Sequence, residues 1–365
     1  MPSIKKKIIH IISGLNNGGA EKSLYNIIKN DQIPRRHIVI SLTKGGMYYN
    51  LLKELDTTIF ELNLNNKFNY YKILLIFYII FINPNAIIQT WMYHSDIIGL
   101  IVGKILRRKV FWNIRHSNFD KISFKYKLIL SIHKLLSRYP YKIICCAESI
   151  KKYYTELGYP DYKFITIYNG INFTHLKKIK IPYNNKINKI LNIGFIGRWS
   201  DQKNYPFLFK VIRTMKNSFF FNKFKFELIG HNINFKNKEL IEQIKRNNIF
   251  SNINLNKEIE NMSFFYSRCD MIFSCSFYGE GFPNILAEAL AFDIPCIAYD
   301  SGDAKLILNK YGKIYNSKNH RNVARMIIKY LNTDLKSNKI KSKTYLKYKY
   351  DISSMIQEYN YVWQK

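Results

Sequence analysis

The chain has 365 residues, which at roughly 100–200 residues per domain predicts two domains, each with its own core. Hydrophobic residues make up 47% of it, which excludes a disordered chain, and 57 Lys and Arg against 25 Asp and Glu leave a formal charge of +32. That charge points to anionic partners, whether a phosphate-bearing substrate, an acidic membrane surface or a nucleic acid.

Short β-branched runs alternate with longer helix-like segments along the chain. Lys5, Lys6 and Lys7 precede an apolar stretch that Ser13 and Gly14 end too early for a signal peptide. Residues 7–12 read as the first strand, followed by a glycine-rich turn and a helix from about residue 21. Strands are expected at 37–42 and 57–62. The run 73–82 is the longest apolar stretch, about half the ~20 residues a membrane span needs. It reads as a core helix; Tyr70, Tyr71 and Lys72 before it keep an interfacial helix open. A strand at 86–92 and a helix from about 95 follow, then strands at 109–114, 142–146 and 164–168. Residues 176–189, rich in Lys and Asn and carrying Pro182, lack periodicity and read as an interdomain linker.

A second series follows, with strands at 190–196, 224–229, 253–255, 271–274 and 295–298. Helices are expected at about 204–215, 238–247, 259–267, 283–291 and, as an amphipathic tail, 350–363. Strands separated by helices imply right-handed crossovers and parallel sheets. The expected architecture is α/β, with two Rossmann-like doubly wound domains facing a central cleft and ligands beyond the carboxyl ends of the strands. The expected domains are 1–175 and 190–348, with 349–365 packing back on the first. The five cysteines are odd in number and none has C-x-x-C spacing, so they read as reduced core residues of a cytoplasmic protein. Lysine and arginine cluster at 5–7, 107–109, 177–180 and 336–347, either as a membrane-facing patch or as a solubilising scatter.

Four stretches carry chemistry. The segment from Tyr278 through Gly279, Glu280, Gly281, Phe282, Pro283 and Asn284 to Glu288 follows a strand and opens a helix. Pro283 suits the first helical position, and free N–H groups at the helix start can receive an anion or sugar hydroxyls. Glu280 and Glu288 would stand roughly 12 Å apart along a helix, beyond the ~5–9.5 Å of a hydrolase pair, and so suit opposite ends of one extended ligand. In the second stretch a strand ends in Gly197, and the loop after it carries Arg198 and Lys203, two cations able to clamp a diphosphate. The third is the turn 13–21 with Gly18 and Gly19. The fourth places His94 beyond the strand 86–92, with Arg115 and His116 beyond the next. Asp300 and Asp303 are the nearest thing to a D-x-D pair, with one residue too many, and no His/Cys cluster has metal-ligand spacing.

The first stretch resembles the E-x7-E motif of the retaining glycosyltransferases of family 4, which have the GT-B fold. The loop with Arg198 and Lys203 is similar to that family's Gly-Arg…Lys-Gly loop, except that Asn204 replaces the last glycine. Gly18, Gly19, Ala20 and Glu21 match its amino-terminal Gly-Gly-Ala-Glu. Residues 146–149 and 168–171 match as well; Lys305 departs from the pattern. The resemblance covers most of residues 6–310. It implies a transferase that moves sugar from a nucleotide-sugar to an acceptor, with retention of configuration and without a metal or other cofactor. It implies catalytic roles for Glu280, His94, Arg198 and Lys203. Donor contacts would come from Gly18, Gly19, Gly197, Arg198, Lys203, Gly230, Glu280, Gly281, Phe282, Pro283, Asn284 and Glu288. Acceptor contacts fall to His94, Arg115 and His116, with either histidine as the one in the active site. The acceptor would be a glycan or a polyprenyl-diphosphate-linked glycan at the inner membrane face, in surface polysaccharide or lipopolysaccharide assembly. Two rival readings differ in what they need: an epimerase would turn over donor without acceptor, and a nucleic-acid-binding protein would need a reading motif that is not seen.

Overall fold

The computed structural model describes residues 6–32, 36–116, 124–174, 176, 190–218, 223–256, 259, 262–337 and 341–365. The linker expected at 176–189 lies outside them except for residue 176, as do the lysine cluster at 177–180, part of the cluster at 336–347 and the start of the helix expected at 259–267. The chain divides into two units, Met1–Gly170 with Ile352–Lys365, and Ile171–Asp351.

In the amino-terminal unit the order is β1 (Ile8–Ile12), α1 (Gly19–Asn30), β2 (His37–Ser41), α2 (Met47–Lys53), β3 (Thr58–Glu61), α3 (Ile73–Phe81), β4 (Ile87–Trp91), α4 (Tyr93–Ile105), β5 (Val110–Ile114), α5 (Phe124–Leu136), β6 (Lys142–Cys145), α6 (Glu148–Glu156) and β7 (Phe164–Thr166). Its seven strands are all parallel, in the order β3-β2-β1-β4-β5-β6-β7. Strands β1, β2, β4 and β5 are buried at every residue, as expected for runs covered on both faces.

The second unit runs β8 (Leu191–Ile196), α7 (Tyr205–Lys216), β9 (Phe224–Ile229), α8 (Lys238–Arg246), β10 (Ile253–Asn256), α9 (Met262–Arg268), β11 (Met271–Ser274), α10 (Asn284–Ala291), β12 (Cys296–Tyr299), α11 (Ala304–Leu308), β13 (Gly312–Tyr315), α12 (His320–Ser337) and α13 (Lys343–Tyr350). Its sheet is also parallel, in the order β10-β9-β8-β11-β12-β13. The short edge strand β13 was not expected: with Gly312 and Lys313 at its start it lacks the apolar run that marks the inner strands. Helix α10 begins at Asn284, so Pro283 precedes the helix instead of opening it. The last helix, α14 (Ile352–Gln364), belongs to the amino-terminal unit.

In both sheets the strand order reverses beside the first strand, between β1 and β4 and between β8 and β11. At such a reversal point the loops leaving the strands diverge, which is where open α/β sheets generally bind ligands. A buried relay links β4, β1 and β2 of the first unit. Trp91 Nε1 donates to His10 Nδ1 (3.2 Å), so His10 Nε2 donates to His37 Nδ1 (2.8 Å) and His37 Nε2 to Asp31 (2.8 Å). Burial, then the neighbouring His37, holds His10 well below the ordinary imidazole range, and burial lowers His37 as well. All five cysteines are buried and none is in a disulfide.

Candidate active site

The reversal point of the second unit collects the residues with the strongest chemistry. Gly197 leaves β8, and its N–H donates to the Ile229 carbonyl at the end of β9 (2.9 Å). Gly230 follows β9 with φ +150°, and a Cβ on it would lie 2.2 Å from the Gly197 carbonyl oxygen. Only glycine therefore lets the two strand ends approach so closely. Gly197 in turn makes room for the Lys203 stem, whose Cγ would be 2.8 Å from an added Cβ. Residues Asp201–Lys203 form one 3-10 turn. Asn204, where the resembled loop has glycine, takes the left-handed conformation (φ 52°) and caps α7 by accepting from Phe207 N (3.3 Å). Asparagine tolerates that conformation, so the departure preserves the loop.

The facing loop leaves β11. The Cys275 thiol donates to the carbonyls of Lys203 and Asn204 (3.5 Å each) and joins the two loops at their base. Burial pushes that thiol's pKa up, which keeps it a donor. Gly279 (φ +75°) lies against Gln202, whose Nε2 would be 3.0 Å from an added Cβ. Glu280 then meets Lys203: Nζ donates to Oε1 at 2.6 Å, with the two side chains only 16% and 14% exposed. Gln202 Nε2 also reaches Glu280 Oε1 (3.5 Å), and Gln202 Oε1 accepts from the exposed Arg198 (3.4 Å). Arg198, Gln202, Glu280 and Lys203 thus form one string of side chains, although Glu280 is 77 residues from Lys203.

A third loop buttresses the second. Asp303 N donates to the Gly281 carbonyl (2.8 Å), and Gly302 (φ +60°) brings its Cα where a Cβ would be 2.3 Å from that same oxygen. Phe282 is buried and meets Tyr350 edge-on at 5.2 Å. Asn284 opens α10, and Glu288, further along it, accepts from the Tyr266 hydroxyl at 2.9 Å. Burial and the Glu288 charge push the Tyr266 pKa well up, so the hydroxyl stays a donor. Two buried hydroxyls in these loops, Ser200 and Ser276, meet no hydrogen-bond partner among the described residues. Gln202, Gly302 and Tyr266 were not singled out by the sequence, because each meets a residue distant in the chain; nor were the two serines, whose burial is set by the fold.

The reversal point of the first unit is built differently. Ser13 Oγ beyond β1 meets Ser95 Oγ in α4 (3.3 Å). Gly18 precedes α1, and Gly19 begins it with open space where a Cβ would be. Burial raises the pKa of Glu21 in the first turn. His94 is exposed at the second position of α4, after a Met92 turn with φ 69°. His116 is half-buried after β5. Arg115 is engaged within the unit. Nε donates to Asn113 (3.0 Å), NH1 to Ser23 (2.6 Å) and to Asn169, and NH2 to Tyr359 of α14 (2.7 Å). Its guanidinium also stacks over Trp91 at 5.1 Å. All three guanidinium nitrogens therefore have partners in the protein, a geometry that ties α1, β5 and α14 together.

Among the described residues no group of three or more His, Cys, Asp or Glu is placed to hold a metal ion, and no helix is long and apolar enough to cross a membrane.

The fold is GT-B, two parallel-sheet α/β units, and three solved structures share it along nearly their whole length. The chain matches HepE of Anabaena, solved with UDP and glucose, at TM-score 0.80 and 17% identity, covering 99% of this chain and 100% of that one. It matches a glycosyltransferase of Rickettsia africae ESF-5 at TM-score 0.80 and 19% identity, with 99% and 98% covered. The lipopolysaccharide outer core galactosyltransferase WaaB, in its apo form, matches at 0.74 and 16%, with 98% and 99% covered. Residues 177–347 match the family described as glycosyl transferases group 1. In sequence the chain is similar to an uncharacterised 41.2 kDa protein in the cps region of Klebsiella pneumoniae, 26% identical over 220 residues, a stretch that spans 56% of this chain and 58% of that relative.

Proposed function

We propose that this protein is a retaining glycosyltransferase of family 4 that moves a sugar from a nucleotide-diphosphate-sugar onto a glycan or a polyprenyl-diphosphate-linked glycan, in surface polysaccharide or lipopolysaccharide assembly. The observation that carries the reading is the Lys203–Glu280 pair at 2.6 Å, strung to Arg198 through Gln202 at the β8/β11 reversal point. Two cations and a carboxylate held together there suit a ligand that is anionic at one end and polyhydroxylated at the other. The match of residues 177–347 to glycosyl transferases group 1 and the UDP and glucose solved with HepE support it.

In this reading Arg198, Lys203 and the start of α10 receive the donor diphosphate and offset the charge it gains on leaving. Lys203 exchanges part of its bond to Glu280 for a phosphate oxygen. Glu280 then orients the sugar and eases positive charge at the anomeric carbon, while Glu288, held by Tyr266, takes the ribose. Retention follows a front-face attack in which the leaving phosphate accepts the acceptor's proton. The cations do the work a metal would otherwise do, so a chelator leaves the rate unchanged. The amino-terminal unit supplies the acceptor side through His94 or His116, at the inner face of the membrane.

A thermal-shift screen of UDP and nucleotide-sugars tests the donor reading. A rise in melting temperature with a nucleotide diphosphate, lost in Lys203→Ala and Arg198→Ala, is expected. No shift with any nucleotide, or turnover of a donor without any acceptor, rejects the transferase reading, and the second outcome favours an epimerase.

A further inference from the structure

We infer that one face of the amino-terminal unit, made by α3, α4 and α5, docks on an anionic phospholipid bilayer. Helix α3, with the sequence ILLIFYIIF, has no charged residue on any side. Its inner positions Ile76, Ile79 and Ile80 are buried in the unit, as a core helix requires. Its outer positions Leu74, Tyr78 and Phe81, spaced i, i+4 and i+7, form a second apolar stripe that is exposed, Leu74 by 72%. A helix that is apolar all round is normally covered on all sides. The preceding 3-10 turn Lys67–Lys72 leaves Phe68 89% exposed and Tyr71 outside as well.

The exposure continues across neighbouring helices. Helix α4 packs against both α3 and α5. It exposes Ile101 and Ile105, and α5 exposes Leu128, Ile132 and Leu135, again along one helical stripe. Apolar surface of this kind on adjoining helices, where among the described residues no helix is able to cross a membrane, marks an interaction face.

Charge selects the occupant. Between residues 62 and 147 the acidic residues are Asp96 and Asp120, against thirteen Lys and Arg. Asp96 is fully buried, bonded to His133 (3.0 Å) and Thr90, so its charge is withdrawn from the face; Asp120 lies outside the described residues. Lys104, Lys127, Lys134 and Arg138 are exposed on α4, α5 and the turn after α5, among the apolar positions. A second copy would bring the same cations against these. An anionic bilayer pairs with them through its headgroups and takes the Leu, Ile and aromatic side chains into the acyl boundary, while the lysine stems reach outward. This rests on and deepens the proposed function in the case where its acceptor is the polyprenyl-diphosphate-linked glycan. The test reads binding without turnover, so either reading can fail alone.

The full chain is sedimented with vesicles of equal parts phosphatidylglycerol and phosphatidylcholine, and with phosphatidylcholine alone. Binding to the mixed vesicles that falls with added salt, and little binding to the neutral ones, is expected. The triple variant Leu74→Ser, Phe81→Ser, Leu135→Ser should bind at least tenfold more weakly at an unchanged melting temperature, since all three positions are exposed. Lys104→Glu with Lys127→Glu and Lys134→Glu should abolish the preference for anionic vesicles. Absence of binding by the wild-type chain overturns the inference, as does equal binding by the apolar triple variant. A wild-type dimer in solution that the same variant dissociates would assign the face to a second copy instead.

Discussion

Each unit sets an arginine just beyond the carboxyl end of a central strand, and the two arginines are used in opposite ways. Arg115 spends its guanidinium on Asn113, Ser23, Asn169 and Tyr359 and lies under no obligation to solvent. Arg198 is exposed, and the bond it makes to Gln202 is long at 3.4 Å. The same topology thus serves an internal clamp in one unit and an exposed guanidinium in the other. What separates them is how many of a guanidinium's five donors the fold has already consumed.

The sharpest way to break the comparison is at Lys203. Lys203→Ala should lower the transfer rate by about 10²–10³-fold and lower the melting temperature as well, because it leaves the mostly buried Glu280 carboxylate without that cation. Glu280→Gln should also slow transfer, yet tighten UDP binding severalfold, since Lys203 would then meet phosphate without a competing carboxylate. Weaker UDP binding by that variant, read by titration calorimetry, would sink the proposed exchange.

Arg115→Ala should cost about 2–4 kcal/mol of stability, because Asn169 and Tyr359 lose their buried partner; denaturant unfolding measures it. Arg115→Lys should not restore it, since an ammonium cannot span the same fork. A stable Arg115→Ala variant with poor acceptor affinity would reverse the comparison and make Arg115 an acceptor ligand.

Gly230→Ala should cost roughly 1–3 kcal/mol and loosen UDP binding, because the new Cβ must displace the Gly197 carbonyl and with it the loop of Arg198. Equal UDP affinity in the variant would separate the glycine from the site.

The gentlest test varies the pH. Folding holds His10 and His37 below the ordinary imidazole pKa of about 6.5. As pH falls through that value the unfolded chain takes up protons before the folded one does. The contribution of these imidazoles is therefore fullest above about 6.5 and declines below it, by up to about 1.4 kcal/mol per pH unit for each, until the folded rings also protonate. Urea midpoints measured against pH should show this decline in the wild type and a flatter one in His10→Gln.

Most of the fold was legible because buried parallel strands are written as continuous β-branched runs. IIHII, HIVIS and VFWNI stand out from their polar surroundings. Strand β13 was not legible, since an edge strand needs one covered face and its Gly and Lys blur the pattern. At the candidate site, the types and local order of Arg198, Lys203, Glu280 and Glu288 were readable. The role of Gln202 as a bridge, the Tyr266 bond to Glu288 and the internal commitment of Arg115 were not, because each partner sits many residues away. Likewise the run 73–82 announced an apolar helix, but nothing in its order says that Leu74, Tyr78 and Phe81 would be left outside.

By itself, then, the order of residues determined the two sets of alternating strands and helices, the glycines at the strand ends and the cations that follow them. These depend on backbone preference and on burial period, which act within a few residues. Tertiary structure alone decided that Glu280 reaches Lys203, that Arg115 is a clamp while Arg198 faces outward, and that one apolar stripe remains uncovered. Hydrogen bonds, ion pairs and coverage are set by which surfaces meet when the sheet and its helices close, and that information is spread over the whole chain.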